Sequence, residues 1–100
     1  MPPMKFRLRI MSLIRTLYDD EVESVFLQGD EGEYELLPCH YPLIGALVDS
    51  DVKIARQTPI RIKTGVVLFE NNNCIIIVEE HDMESALFPG AAGTPGGKKA

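Results

Sequence analysis

The sequence predicts an all-β domain, a sandwich or barrel of short strands, on three observations. Hydrophobic and polar residues alternate with a period of two along nearly the whole chain up to residue 79. Val and Ile are dense, and β-branched side chains suit a pleated, half-buried surface. No capped amphipathic helix can be read before residue 80. One hundred residues, 45% apolar and 25% charged, fit a single globular domain with a thin core.

The elements follow in order. Phe6, Leu8 and Ile10 alternate with Lys5, Arg7 and Arg9, a strand with one wet face. Leu17 and Tyr18 form a short extended piece. Residues 21–27 read as one longer strand, with Val22, Ser24 and Phe26 on one side and Val25 and Leu27 on the other. Gly29 and Gly32 then bracket a tight loop, because glycine admits backbone angles that a Cβ forbids. Tyr34, Leu36 and Leu37 resume an extended run. Pro38 and Pro42 exclude a helix or a central strand between them.

Residues 43–47 are a short apolar segment broken by Gly45. Val52 and Ile54 flank Lys53, Gln57-Thr58 turns the chain, and Ile60 and Ile62 alternate with Arg61 and Lys63. Residues 66–69 and 74–78 make a hairpin around Asn71-Asn72-Asn73, since Asn tolerates left-handed angles. The character changes after residue 80. Residues 81–100 hold four of the eight glycines and two prolines, and they read as a flexible tail with a short helical turn around 82–87. The expected division is a domain at 4–80 and a tail at 81–100.

The net charge is −5, and its distribution matters more than its size. No Lys or Arg occurs between residues 16 and 52, where Asp19, Asp20, Glu21, Glu23, Asp30, Glu31, Glu33, Glu35, Asp49 and Asp51 all fall. Such a surface repels nucleic acid and steers basic partners toward it. Alternatively it is a solvated face that aids solubility. No apolar run approaches the ~18 to 20 residues needed to span a bilayer. The N-terminus lacks an apolar signal core, so the expectation is an unexported, cytoplasmic chain whose Cys39 and Cys74 are free thiols.

Catalytic chemistry is hard to place. Cys39-His40 has the composition of a nucleophile and base, but neighbours on an extended chain point to opposite sides. His40 alternatively is a half-buried polar residue satisfied by backbone. Two His and two Cys in unrelated contexts do not make a metal site, and the acidic loop is too short and irregular for a helix-loop-helix calcium site. No Gly-rich phosphate loop is present, and no cofactor is expected.

The acidic loop and the run Leu37-Pro38-Cys39-His40-Tyr41-Pro42-Leu43 together resemble the N-terminal domain of the epsilon subunit of F-type ATP synthases. That family carries a Gly-x-x-Gly-like loop followed by Leu-Pro-x-His-x-Pro-Leu, matched here by Gly29, Gly32, Tyr34, Leu37, Pro38, His40, Pro42 and Leu43. Residues 6–10 resemble the family's first strand, 15–25 its Arg-x-Leu-Tyr-x-Gly-x-Val-x-Ser-Val stretch, and 62–72 its Gly-Gly-Phe-x-x-Val hairpin. Leu13, Gln28, Glu35, Ser50-Asp51 and Thr64 depart from frequent Pro or Gly positions, which bears on loop geometry more than on fold.

The resemblance implies a β-sandwich of about ten strands. It implies a non-catalytic central-stalk subunit that couples the gamma subunit to the membrane c-ring during ATP synthesis, alongside other ATP synthase subunits. The loop Gly29, Asp30, Glu31, Gly32 and Glu33 would face the c-ring, and His40 would lie at the gamma and ring junction. Such a protein is peripheral, on the cytoplasmic face of an energy-transducing, bacterial membrane. The family's C-terminal helical hairpin and its nucleotide signature are not matched by Asp82-Met83-Glu84-Ser85-Ala86, so a short form without an ATP site is expected. A different class stands beside this one: a free-standing β-sandwich adaptor that binds a basic protein or peptide through the same acidic loop. A ligand-holding barrel is disfavoured, because so short a chain needs its apolar residues to fill the core.

Overall fold

A computed structural model describes residues 4–81, and every regular element among them is a strand. The nine strands are β1 (Phe6–Met11), β2 (Thr16–Val22), β3 (Val25–Gly29), β4 (Gly32–Leu36), β5 (Leu43–Leu47), β6 (Ser50–Ile54), β7 (Ile60–Ile62), β8 (Thr64–Glu70) and β9 (Asn73–Glu79). One sheet has the order β2-β1-β9-β8-β5 and the other β4-β3-β6-β7. Only β1 and β9 pair in parallel; the other pairings are antiparallel.

The period-two pattern becomes two inner faces. Phe6, Leu8, Ile10, Val67, Phe69, Cys74, Ile76 and Val78 supply one, and Val25, Leu27, Leu36, Val52, Ile54 and Ile62 the other, all buried in one cluster. Each such aliphatic or aromatic side chain contributes about 1.5–3 kcal/mol by leaving water. Phe6 and Phe69 meet edge to face with ring centroids 5.2 Å apart. Burial pushes the Cys74 thiol up to about 12, as expected for a small core residue.

Three readings of the sequence are corrected. Residues 21–27 are not one strand: the chain leaves the first sheet at Val22 and enters the second at Val25. Ser24 and Val25 are both buried, so the inner side changes hand there, which a continuous strand forbids. Leu17 and Tyr18 belong to the seven-residue β2, whose register slips beside Ile10 and Met11, a bulge-like irregularity. Gly45 does not break β5, which pairs with β8 along its whole length.

Similar one- or two-residue crossings join β5 to β6 and β7 to β8, so the chain passes between sheets three times at tight corners. The turn after β6 starts earlier than Gln57-Thr58: Arg56 takes φ 60°, and Gln57 N–H donates to the Ile54 carbonyl at 3.0 Å. The Asn hairpin is as expected, with Asn71 and Asn72 at φ 52° and 59°. The short helical turn at 82–87 and the tail from 82 onward lie outside the described residues. His81, the first residue assigned to that tail, places Nε2 3.0 Å from Asp49 Oδ1.

Candidate interaction surfaces

β3 and β4 close on themselves in register, Gly29 opposite Gly32, leaving only Asp30 and Glu31 at the tip. Gly32 has φ +129°, a backbone state that suits glycine alone. The tip is exposed and sits on a five-residue ladder, so its carboxylates have a fixed base. Glu33 pairs with Lys53 at 3.3 Å. Asp30, Glu31 and Glu35 make no ion pair among the described residues, whereas Asp19, Glu23, Asp49, Glu79 and Glu80 each have a cationic partner. The hairpin thus carries free negative charge at its tip and along β4, as Asp20, Glu21 and Glu70 do elsewhere on the described surface.

His40 reaches the same place by a different route. Leu37-Pro38-Cys39-His40 is a tight turn, with Cys39 at φ 69° and His40 N–H donating to the Leu37 carbonyl at 3.2 Å. Cys39 N–H donates to Asn72 Oδ1 at 2.6 Å, which fastens this turn to the β8–β9 hairpin. His40 Nδ1 lies 2.7 Å from the Tyr41 carbonyl, which only accepts, so Nδ1 carries a proton and donates it there. Its ring lies 4.3 Å from Tyr41 and 5.6 Å from Phe69. The imidazole is therefore aimed at the Tyr41 backbone and not at a thiol, and no Cys-His pair forms.

Gly29, Asp30, Glu31, Gly32, Glu33 and His40, the residues singled out from sequence, all line one open groove of about 450 Å³. Sequence reasoning missed its floor. Tyr34, Glu35, Tyr41 and the edge strand β5, at Leu43, Gly45 and Ala46, complete the lining. A Cβ on Gly45 would stand 3.1 Å from the Tyr34 hydroxyl, so glycine here makes room for that ring. Desolvation raises the Tyr34 hydroxyl above its usual 10.0, with Cys74 adding to the effect. Nothing in local sequence pairs residue 34 with residue 45. Among the described residues no three His, Cys, Asp or Glu side chains are grouped to hold a metal ion. Among the described residues there is no helix long and apolar enough to cross a membrane.

A second surface lies on the outer face of the five-stranded sheet. The register aligns Ile44, Leu68 and Ile75 in one row and Ala46, Val66, Ile77 and Met11 in the next. Ile44, Val66, Leu68 and Ile77 are exposed, Ile44 at 75%. Arg9 and Asp19 continue the first row and bound the patch with charge. The signal was present in the sequence: residues 66–69 and 74–78 are apolar without alternation, and such a strand has two faces to cover.

Known proteins resemble this chain along most of its described length. The family model for the ATP synthase, Delta/Epsilon chain, beta-sandwich domain matches residues 5–84. The chloroplastic ATP synthase epsilon chain of Zygnema circumcarinatum is 30% identical over 89 residues, covering 86% of this chain and 67% of that one. The ATP synthase epsilon chain of Gloeobacter violaceus is 26% identical over 87 residues, covering 84% and 66%. The chain thus spans about two thirds of the length of these curated relatives. Among solved structures, a chain of the Tetrahymena thermophila mitochondrial ATP synthase central stalk/c-ring superposes with a TM-score of 0.66 at 13% identity, covering 80% of this chain and 67% of that one, a likeness of fold.

Proposed function

The chain belongs to the beta-sandwich domain family of ATP synthase delta and epsilon chains, and from that premise we propose that it is the non-catalytic epsilon subunit of a rotary F-type ATP synthase. It sits in the central stalk, where it couples the gamma subunit to the membrane c-ring during ATP synthesis. It is peripheral, held by the complex on the face of the energy-transducing membrane that carries the catalytic head, the cytoplasmic face in a bacterium. A coupling part needs rigidity and two interfaces rather than a reaction centre.

The observation that carries the reading is the groove: unpaired Asp30 and Glu31 on a stiff two-residue tip, beside His40, on a sandwich of this family. In this reading the loop Gly29, Asp30, Glu31, Gly32 and Glu33 meets a cationic c-ring surface, and His40 stands at the junction with gamma. The outer apolar face of the five-stranded sheet is the surface for gamma. Exposed ion pairs contribute only about 0.2–1 kcal/mol each, so the charged tip provides orientation and rate of encounter. Apolar burial against gamma provides most of the affinity.

Replacing Asp30, Glu31 and Glu33 together with Lys tests the assignment in the assembled motor. Like charge would then face the ring. ATP-driven ion pumping should fall several-fold while ATP hydrolysis by the detached head is unchanged. Full coupled pumping in the triple variant would contradict the ring contact.

A further inference from the structure

The loop between β1 and β2 carries the most exposed large apolar side chain of the described residues, Leu13 at 97%, with Ile14 beside it at 67%. On a floppy loop such a pair would mean little. Here the loop is closed. Ser12 N–H donates to the Arg15 carbonyl at 2.8 Å, and Ser12 Oγ accepts the N–H groups of Ile14 and Arg15, each at 3.2 Å. The Arg15 guanidinium grips Glu80 through two bonds, Nε to Oε2 at 3.2 Å and a terminal nitrogen to Oε1 at 2.6 Å. The Glu80 side chain is only 12% exposed. The loop is thereby bound to the end of β9, and its two aliphatic side chains point outward from a fixed frame.

We infer that Leu13 and Ile14 form a preorganised apolar anchor that seats in a nonpolar pocket of the same subunit that covers the outer face of the five-stranded sheet. This rests on the assignment of that face to gamma and deepens it. Continuity supports it: Met11 ends the row Ala46, Val66 and Ile77, and the chain proceeds from Met11 directly to the tip. An open recess of about 370 Å³ beside the tip is lined by Ser12, Leu13, Ile14, Val78, Glu79 and Glu80. Charge selects the occupant. Both carboxylates at this recess are already paired, Glu80 with Arg15 and Glu79 with Lys63 at 3.7 Å. The tip therefore offers hydrocarbon with a neutralised rim, unlike the free carboxylates of the hairpin, and fits an apolar pocket better than a cationic ring. Because the loop is already ordered, little entropy is lost on docking.

The test titrates the full 100-residue chain against its cognate gamma subunit by calorimetry. The double variant Leu13→Ser with Ile14→Ser should keep its urea midpoint, since both side chains are exposed, and bind gamma about tenfold more weakly or worse. Unchanged affinity in that variant overturns the anchor. A second double variant, Ile44→Ser with Ile77→Ser, reports on the face itself. If it weakens binding while the tip variant does not, only the anchor fails. If neither variant changes binding, or the parent chain does not bind gamma, the gamma assignment of the face fails with it. Sedimentation of the free chain covers the remaining occupant: self-association abolished by the tip variant, with gamma binding intact, would make the tip a contact between copies and overturn the proposal.

Discussion

Cys39 occupies a backbone state that side chains avoid, φ 69° at the third position of the Leu37–His40 turn. A Cβ there costs roughly 1–2 kcal/mol, against about 0.5–1 kcal/mol of extra chain entropy lost by glycine. Cys39→Gly should therefore raise stability by about 0.5–1 kcal/mol, read as a higher urea midpoint. The two thiols should also separate chemically. With Cys74 buried and its pKa near 12, a thiol reagent at pH 8 should titrate Cys39 quickly and Cys74 only after denaturation. Glu80 gives a pH test. The Arg15 hydrogen bond holds its carboxyl below the usual 4.5, with Ser12 and the Arg15 charge helping and desolvation opposing. A depressed folded pKa stabilises above the unfolded value and is lost as pH falls through the folded one. Glu80→Gln should thus lower the urea midpoint at neutral pH and converge on the parent as the pH falls through the depressed Glu80 value. At this scale the sequence was informative wherever backbone chemistry dictates residue type, as at Gly32, Pro38 and Asn72. It was silent on Tyr34 and Gly45, whose contact depends on how two sheets meet.

The strands themselves were legible because each buries one side, and alternation records that directly. Residues 21–27 misled because the alternation of Val22 and Ser24 with Glu23 runs on into Val25 and Leu27 with a single change of phase. The corner there carries no Gly or Pro to mark it. The glycines inside strands do carry a legible demand once partners are known. A Cβ on Gly65 would stand 3.0 Å from the Ile77 carbonyl and 3.1 Å from Val78 Cγ1. The carbonyl belongs to the β8–β9 ladder and has little room to yield. Gly65→Ala should cost about 1–3 kcal/mol by urea unfolding. Gly45→Ala meets mainly the far end of the Tyr34 side chain at 3.1 Å, which can swing. Its cost should be smaller, about 1 kcal/mol or less. The displaced ring should show itself as a change in Tyr fluorescence.

Across the whole molecule two surfaces of opposite chemistry share one sandwich, a free-carboxylate groove and an apolar sheet face. Their responses to salt should differ. Raising ionic strength from about 0.05 to about 0.5 M should weaken attachment to the ring and leave affinity for gamma nearly constant. The stalk assignment came from the Pro- and His-bearing run, while the apolar patch proposed here for gamma needed the strand register to appear. That register has one more consequence. β9 lies between β1 and β8, so without it the five-stranded sheet is two unconnected pairs, β2 with β1 and β8 with β5. The first strand made on the ribosome must wait, its inner edge unsatisfied, until residue 79 clears the exit tunnel. A nascent chain halted before that point has all four strands of the smaller sheet but no finished five-stranded partner to cover it, and that exposure ends only when β9 inserts.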